Sequence, residues 1–361
     1  MQRTSFRRLV SGTPPAPGRL FFTNLWFRDH NNPRYAELLP RLGRLDPYLF
    51  VMPERRIPRG LAYRALRATR HVRDPLLFAA ANRRYRSMFT TDNEHIRHFA
   101  GGVVSDVDDP RYTAREVALL NRPSLAAYVV TAERAARRFA ELGVDKPWHV
   151  IPQGVSLRSV SADAVTAIGE HERRNGEVVV GYMAAWLLGA GDRGGESPLY
   201  NVDHLLDLWE EIHTRSPRTR LWLIGGASES VQRRCAGRGD IRVFGRLPRE
   251  QALAHVANFD IALYPRTRDQ GIRAAKVAEY IGLGVPTVSY DFAVTENLRE
   301  TGAGVLVQTP RDFAETVARL SEHEDERRPL AESARRAGAT LDWDVLARRY
   351  EVEILDRYLP A

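Results

Sequence analysis

Two α/β domains in succession, each a parallel β-sheet covered by helices on both faces, are what the sequence predicts. Three observations carry this. Short apolar, β-branched runs alternate with helical patterns along the chain, and many of the runs are bounded by glycine or proline. The series is interrupted across a polar stretch, Gln153–Gly176, and then starts again. Such alternation signals parallel sheets buried on both sides, and 361 residues suit two domains of ordinary size.

The first series predicts strands at Leu20–Thr23, Tyr48–Met52, Arg86–Thr90, Val103–Val107, Ala127–Thr131 and His149–Ile151. Its clearest helix is Thr131–Leu142, opened by a Thr cap with Glu133 and closed by Gly143. The second series predicts strands at Val178–Tyr182, Arg220–Ile224, Ile241–Phe244, Ile261–Tyr264, Thr287–Tyr290 and Val305–Val307. Helices are expected at Val202–His213, Arg249–Asn258, Ile272–Gly282, Pro310–Ser321 and Glu324–Ala337. The domains are expected to span residues 1–155 and 156–341. A terminal helix over 342–361, with Trp343, Leu346, Tyr350, Ile354 and Leu355 on its packing stripe, is expected to cross back and brace the first domain. Ligands of such sheets bind beyond the carboxyl ends of the strands. A cleft between two such sheets can hold a donor on one side and an acceptor on the other.

Composition narrows the classes. No apolar run reaches the length of a membrane-spanning helix, and Met1–Val10 has arginines with no apolar stretch behind them, unlike a secretory signal. The single Cys235 excludes an internal disulfide and a cysteine-based zinc cluster. A cytoplasmic protein is expected. Between Arg55 and Arg86 stand ten arginines and one acid, Asp74. The stretch from Pro58 to Arg73 reads as an amphipathic helix. It suits the anionic inner face of a membrane, an anionic acceptor or plain solvent. No aromatic interleaving or nucleic-acid-binding module accompanies the charge, so nucleic acid is not an expected partner.

The motifs that carry chemistry cluster in the second half. Only two lysines, Lys146 and Lys276, stand among 51 arginines. Lys276 lies in "DIALYPRTRDQGIRAAKVAEY", where a strand ends at Tyr264-Pro265 and a polar loop with Arg266, Arg268 and Asp269 leads through Gly271 into a helix. The free N–H groups of Ile272, Arg273 and Ala274 and the helix dipole favour an anion there. Glu279, three residues beyond Lys276, has acceptor oxygens enough for both hydroxyls of a ribose. The plain alternative is a solvated Lys276–Glu279 ion pair on one helix face. Gly225-Gly226 ends a strand where backbone could approach a phosphate. Gly245-Arg246-Leu247 closes the next strand, where backbone groups could read a base edge; both could equally be ordinary turns.

These segments together resemble a known family. "VVTAERAARRFAELG", "HVIPQGVSL", "VVVGYMAAW", "TRLWLIGG", "IRVFGRLP", "FDIALYPR" and "KVAEYIGLGVPTVSY" follow one another as in the two-domain GT-B glycosyltransferases, specifically retaining glycosyltransferase family 4. The resemblance implies the GT-B fold, two Rossmann-like domains with parallel sheets facing across a cleft. It implies a nucleoside-diphosphate sugar bound in the second domain, with Glu279 as the ribose carboxylate and Gln153-Gly154 at the domain boundary. The chain departs from the pattern in two places. Gly271 stands where the family usually has a sugar-contacting glutamate, and the usual basic pair after the first strand of the second domain is missing, leaving Arg193. Arg266 or Arg268 would then supply the charge.

In the first half, Ser105-Asp106-Val107-Asp108-Asp109-Pro110 follows a strand, and three acids there read as surface groups. The segment resembles an acidic feature of bacterial surface-polysaccharide glycosyltransferases. Asp108 or Asp109 would bind acceptor hydroxyls or act as a base. His95 and His98 are nearest to the histidine common in the family, and His95, at a strand end, is the candidate. All three candidates also suit caps and turns. The first strand's exit, "FFTNLWFRDHNNPRY", offers Asn24, Trp26, Phe27, Arg28, Asp29 and His30 for sugar contacts or packing. No metal and no permanently bound cofactor are expected. The expected reaction moves a sugar from the nucleotide sugar to a hydroxyl of a glycan, a lipid-linked sugar or a small molecule, in cell-surface or lipid-linked glycan synthesis. Retention is favoured, with inversion open through Asp108. The alternatives are a nucleotide-sugar epimerase or phosphorylase, and a catalytically inactive partner subunit.

Overall fold

The computed structural model describes residues 9, 15–24, 33–49, 72, 74–174, 176–192, 202–267, 274–292 and 295–360. The chain divides into two compact units, Met1–Pro152 with Asp344–Ala361, and Gln153–Trp343.

The first unit holds β1 (Leu20–Asn24), β2 (Leu45–Leu49), β3 (Ser87–Thr90), β4 (Gly102–Val107), β5 (Leu125–Val130) and β6 (Trp148–Val150). They form one sheet in the order β2-β1-β3-β4-β5-β6, every pair parallel. The order reverses at β1/β3. Phe21, Met88, Val103, Tyr128 and Val130 project from the strands into a core completed by Phe78, Ile96 and Phe139. β2 begins before its expected start because Pro47 lies inside it. A proline is tolerated there because β2 is an edge strand, where a missing N–H breaks no ladder on the open side.

The C-terminal tail packs within this unit. It starts as a helix, Trp343–Arg349, and passes into a π-helical turn, Tyr350–Leu355. Tyr350, Ile354 and Leu355 are fully buried, and Tyr350 meets Phe89 edge-on at 6.1 Å. Polar ties follow the same path: Arg41 to Asp344 at 2.8 Å, the Gly43 amide to Glu351 at 3.0 Å and Arg44 to Asp356 at 2.9 Å.

The second unit holds β7 (Val178–Leu187), β8 (Thr219–Ala227), β9 (Ile241–Val243), β10 (Ile261–Tyr264), β11 (Thr287–Tyr290) and β12 (Gly304–Val307). Their order is β12-β11-β10-β7-β8-β9, all parallel. Counted within the unit this is the dinucleotide-fold order, which reverses between β7 and β10. Period-two alternation fills both faces. Val180, Leu221, Leu223 and Leu263 pack with Trp209, Phe313 and Val317. Val179, Trp222 and Ala262 pack on the other face with Val256, Phe259 and Tyr280.

β7 and β8 run on beyond their expected ends, β7 through an irregularity between Met183 and Trp186. The polar stretch read as the interruption carries a helix, Ala162–Glu172, none of whose residues is buried. Without a buried stripe it leaves no apolar period to read. The helix expected at Thr131 begins at Glu133 with Ala132 at its cap, and no side chain caps it.

Candidate functional site

In the second unit the features singled out in the sequence gather around the switch between β7 and β10. The helix after β10 spans Ala275–Gly282, not Ile272–Gly282, with Ala274 extended at its cap. Arg268, Gly271, Ile272 and Arg273 lie outside the described residues, as do Arg193 and Asp269. Lys276 is therefore in the first helical turn, where backbone N–H groups have no intrahelical partner, and Ala274 at the cap makes no side-chain cap bond. Two tyrosines from the neighbouring strands receive its ammonium. Lys276 Nζ donates to the Tyr182 hydroxyl at 3.2 Å, 4.5 Å from that ring's centre and 5.8 Å from that of Tyr264. No carboxylate pairs with it among the described residues.

Tyr264 ends β10 and is 1% exposed. Among the described residues its hydroxyl has no hydrogen-bond partner, and burial raises its pKa. A buried polar atom without a partner costs free energy unless something supplies one. The Arg266 guanidinium lies 5.3 Å from the same ring. The helix is pinned to β7 by the Tyr280 hydroxyl, which accepts from the Met183 amide at 3.0 Å.

Glu279, one turn on from Lys276, is 4% exposed. It does not pair with Lys276, so the simple helical ion pair is not formed. Its partner is Arg249, 2.7 Å away at the start of the Arg249–Val256 helix. The tyrosine rings hold Lys276 aside, and Arg249 reaches in from the neighbouring turn.

That turn is Gly245-Arg246-Leu247. Gly245 has φ +72 and its carbonyl accepts from the Gly225 amide at 2.9 Å. Leu247 packs partly against the Trp222 and Tyr280 cluster. Arg246 is exposed, its guanidinium 5.6 Å from the ring of Trp186, which is itself 50% exposed.

Gly225 has a packing role besides the one expected of it. It has φ +148, and a Cβ there would stand 2.2 Å from the Ala184 carbonyl oxygen. The glycine is needed for the close approach of β7 and β8, and its Cβ side is filled by protein backbone. The exit of β7 holds a polar knot missed in the sequence. The Asp192 carboxylate accepts from the Ser228 and Ser230 hydroxyls and from the Gly189 amide. These bonds hold its pKa below the ordinary value.

In the first unit the acids divide. Asp106, read as a surface group, is 1% exposed within β4. It pairs with Arg34 at 3.0 Å and accepts from the Tyr35 hydroxyl at 3.3 Å and from Tyr350. Arg34 also donates to Tyr350 at 2.7 Å and to the Ile151 and Pro152 carbonyls. Burial pushes the Asp106 carboxyl up to about 6, with Arg34 pulling it down and Asp108 adding to the rise. The node ties β4, the Pro33–Leu38 helix, the end of β6 and the tail together. Arg34 and Tyr350 gave no signal of it, since they lie far apart in the chain.

Asp108 is half-buried and Asp109 exposed, beyond the end of β4. Their loop is shaped by Glu116, which accepts from the Arg111 and Tyr112 amides at 2.8 Å each and from Asn93 at 3.0 Å. His95 is 1% exposed, 3.3 Å from the Thr90 hydroxyl with its ring 5.2 Å from that of Phe78. That is a buried position packed against core side chains. Trp26, Phe27, Arg28, Asp29, His30 and the Asn24 side chain lie outside the described residues, as does most of the arginine-rich stretch. At its edge Val72 and Leu76 are exposed, 69% and 61%.

Among the described residues no group of His, Cys, Asp or Glu is arranged to hold a metal ion, and no helix is long and apolar enough to cross a membrane.

Residues 193–323 match the family model described as Glycosyl transferases group 1. Over 216 residues the chain is 24% identical to Glycosyltransferase 1 domain-containing protein 1 of Xenopus tropicalis, a match covering 58% of this chain. It spans only 60% of that relative's length. Among solved structures, Anabaena HepE in complex with UDP-glucose is similar with a TM-score of 0.67 at 13% identity, over 93% of this chain and 99% of that one. Sucrose-phosphate synthase from Thermosynechococcus elongatus gives 0.68 at 14% identity, over 95% and 100%. WaaG, a glycosyltransferase involved in lipopolysaccharide biosynthesis, gives 0.61 at 12% identity, over 95% and 100%. At these identities the likeness shows the fold: two parallel-sheet, Rossmann-like domains of GT-B type.

Proposed function

We propose that this chain is a glycosyltransferase that moves a sugar from a nucleoside-diphosphate donor to a hydroxyl acceptor. The observation that carries the reading is Lys276, a cation set in a helical first turn at the switch point of a dinucleotide-type sheet, held on the Tyr182 hydroxyl and paired with no carboxylate among the described residues. Beside it stands the buried Tyr264 hydroxyl, which has no hydrogen-bond partner among the described residues. The family match over the same segment supports the reading.

The donor's diphosphate would lie at this helix start, its ribose hydroxyls on Glu279 and its base near Gly245-Arg246-Leu247. In the reaction the anomeric C–O bond breaks and its electron pair goes to the departing diphosphate. Lys276 and the helix amides stabilise the charge that builds there, and Arg266 adds to the field. Arg268 is a further candidate for the same role. These groups neutralise the leaving group without a metal ion. Retention is the favoured outcome, with Asp108 the candidate base if the reaction inverts. Asp108 and Asp109 are the candidate acceptor contacts.

The arginine-rich stretch and the exposed Val72 and Leu76 support contact with an anionic membrane surface on its cytoplasmic side, and hence a lipid-linked or cell-envelope acceptor. Sedimentation with anionic and neutral vesicles at low and high salt tests this. Equal recovery in both supernatants removes the membrane and favours a soluble acceptor.

The function itself is tested by incubating the pure protein with a panel of nucleotide sugars, with and without acceptor lipids, and scoring released diphosphate. Turnover with one donor is expected, and Lys276→Ala should lower it about a hundredfold, roughly 3 kcal/mol in the transition state. Nucleotide binding without turnover on any acceptor would instead support an inactive partner subunit, a reading favoured by Gly271 at the sugar-reading position. Isomerisation of the donor without an acceptor would identify an epimerase.

A further inference from the structure

We propose that Arg249 is a positioning residue that orients the ribose-binding carboxylate of this site, an assignment that rests on the nucleotide-binding reading above. Arg249 opens the Arg249–Val256 helix, directly behind Pro248 at its cap. Its Nη1 lies 2.7 Å from Glu279 Oε1, and the Glu279 side chain is 5% exposed against 34% for Arg249. A carboxylate buried to this degree needs a cation or several donors if it is to stay ionised. The neighbour on its own helix that carries the charge, Lys276, is turned to Tyr182 instead. Arg249 therefore supplies the counter-charge, and from a different helix.

The geometry leaves the carboxylate usable. Arg249 engages Oε1, and the Glu279 side chain makes no other ion pair or hydrogen bond among the described residues. Each carboxylate oxygen can accept twice, so Oε2 and the second lone pair of Oε1 remain for a pair of hydroxyls. The planar guanidinium fixes the direction of its partner more tightly than a rotating ammonium can. The arginine also follows Gly245-Arg246-Leu247 in the chain, separated from it only by Pro248. A base held at that turn and a ribose held by Glu279 would thus share one support, the stretch from Gly245 to Arg249.

The test is the preference for ribose over its deoxy forms, measured as dissociation constants. The probes are UDP and GDP, each with its 2′-deoxy and 3′-deoxy counterpart, titrated into wild type, Arg249→Met, Arg249→Lys and Glu279→Gln. Wild type is expected to favour a ribonucleotide over a deoxy form about 10-fold or more, the effect of one hydrogen bond to a charged group. Arg249→Met should reduce that preference to within about threefold, as Glu279→Gln does, and Arg249→Lys should restore part of it. A merely structural role would weaken every form by the same factor and leave the preference intact; that result overturns the assignment of Arg249 while the nucleotide site stands. If Arg249→Met does not fold, the double variant Arg249→Met with Glu279→Gln leaves no unpaired buried charge. It should match Glu279→Gln alone, and a larger residual preference in the double variant would also overturn the assignment. Wild-type protein that binds none of UDP, GDP and dTDP overturns the site and this inference together, and binding of dTDP alone overturns this inference.

Discussion

Alanine at Gly225 separates two uses of a glycine at a strand exit. The sequence suggests close approach of a phosphate to bare backbone, and the fold shows close approach of β7. At φ +148 a residue with a side chain is strained by about 1–3 kcal/mol. Its Cβ would also stand 2.2 Å from the Ala184 carbonyl oxygen and 3.2 Å from Leu187 Cγ. Carbon–oxygen contacts settle near 3.3 Å or more, so β7 and β8 must part by roughly 1 Å. Overpacking of this kind adds about 1–3 kcal/mol. Together the two effects come to about 2–6 kcal/mol, a fall in melting temperature of roughly 5–20 °C for a unit of this size. Differential scanning calorimetry, paired with nucleotide titration well below the transition, reads both quantities. A Gly225→Ala protein that melts with wild type yet no longer binds nucleotide would refute the packing account and return this glycine to the ligand.

Three further outcomes are expected. Tyr350→Phe removes a hydroxyl that accepts from Arg34 at 2.7 Å and donates to Asp106, and should lower stability by about 1.5–3 kcal/mol in a denaturant titration with unchanged slope. An unmoved midpoint would leave the tail held by apolar packing alone. The second outcome concerns pH. Burial pushes the Asp106 carboxyl up to about 6, so the folded chain holds this proton more tightly than the unfolded chain. The stability this group contributes is full below about pH 4 and lost as pH rises through about 6. Asp106→Asn should flatten that part of the pH–stability curve, and a slope that survives the substitution belongs to another group. Finally, His95→Gln should affect folding stability more than turnover, because the ring is buried against Phe78; a selective loss of turnover would bring His95 back to the chemistry.

The strands were legible because fully buried parallel strands are short, apolar and β-branched, as in Ile261–Tyr264 and Thr287–Tyr290. What the sequence hid has local causes. Pro47 masked the start of β2, and Ala184-Ala185 masked the continuation of β7, since alanine favours strands weakly. The Ala162–Glu172 helix buries nothing and so shows no apolar stripe. At the site, the spacing of Lys276 and Glu279 correctly put both on one helix, but their partners come from elsewhere in the chain. Tyr182 and Tyr264 read as core strand residues, and Arg249 as one arginine among many. Asp106 was misread because its counter-charge, Arg34, lies far away in the chain and meets it only when the sheet has formed.

The most direct test of the central claim is isothermal titration of UDP, GDP and dTDP into wild type and Lys276→Ala, with chelator present. Saturable binding of at least one nucleotide to wild type is predicted, with affinity about 10- to 100-fold weaker in Lys276→Ala, the loss of one charge-assisted contact. Absence of binding to all three, or equal affinity of the two proteins, would contradict the account.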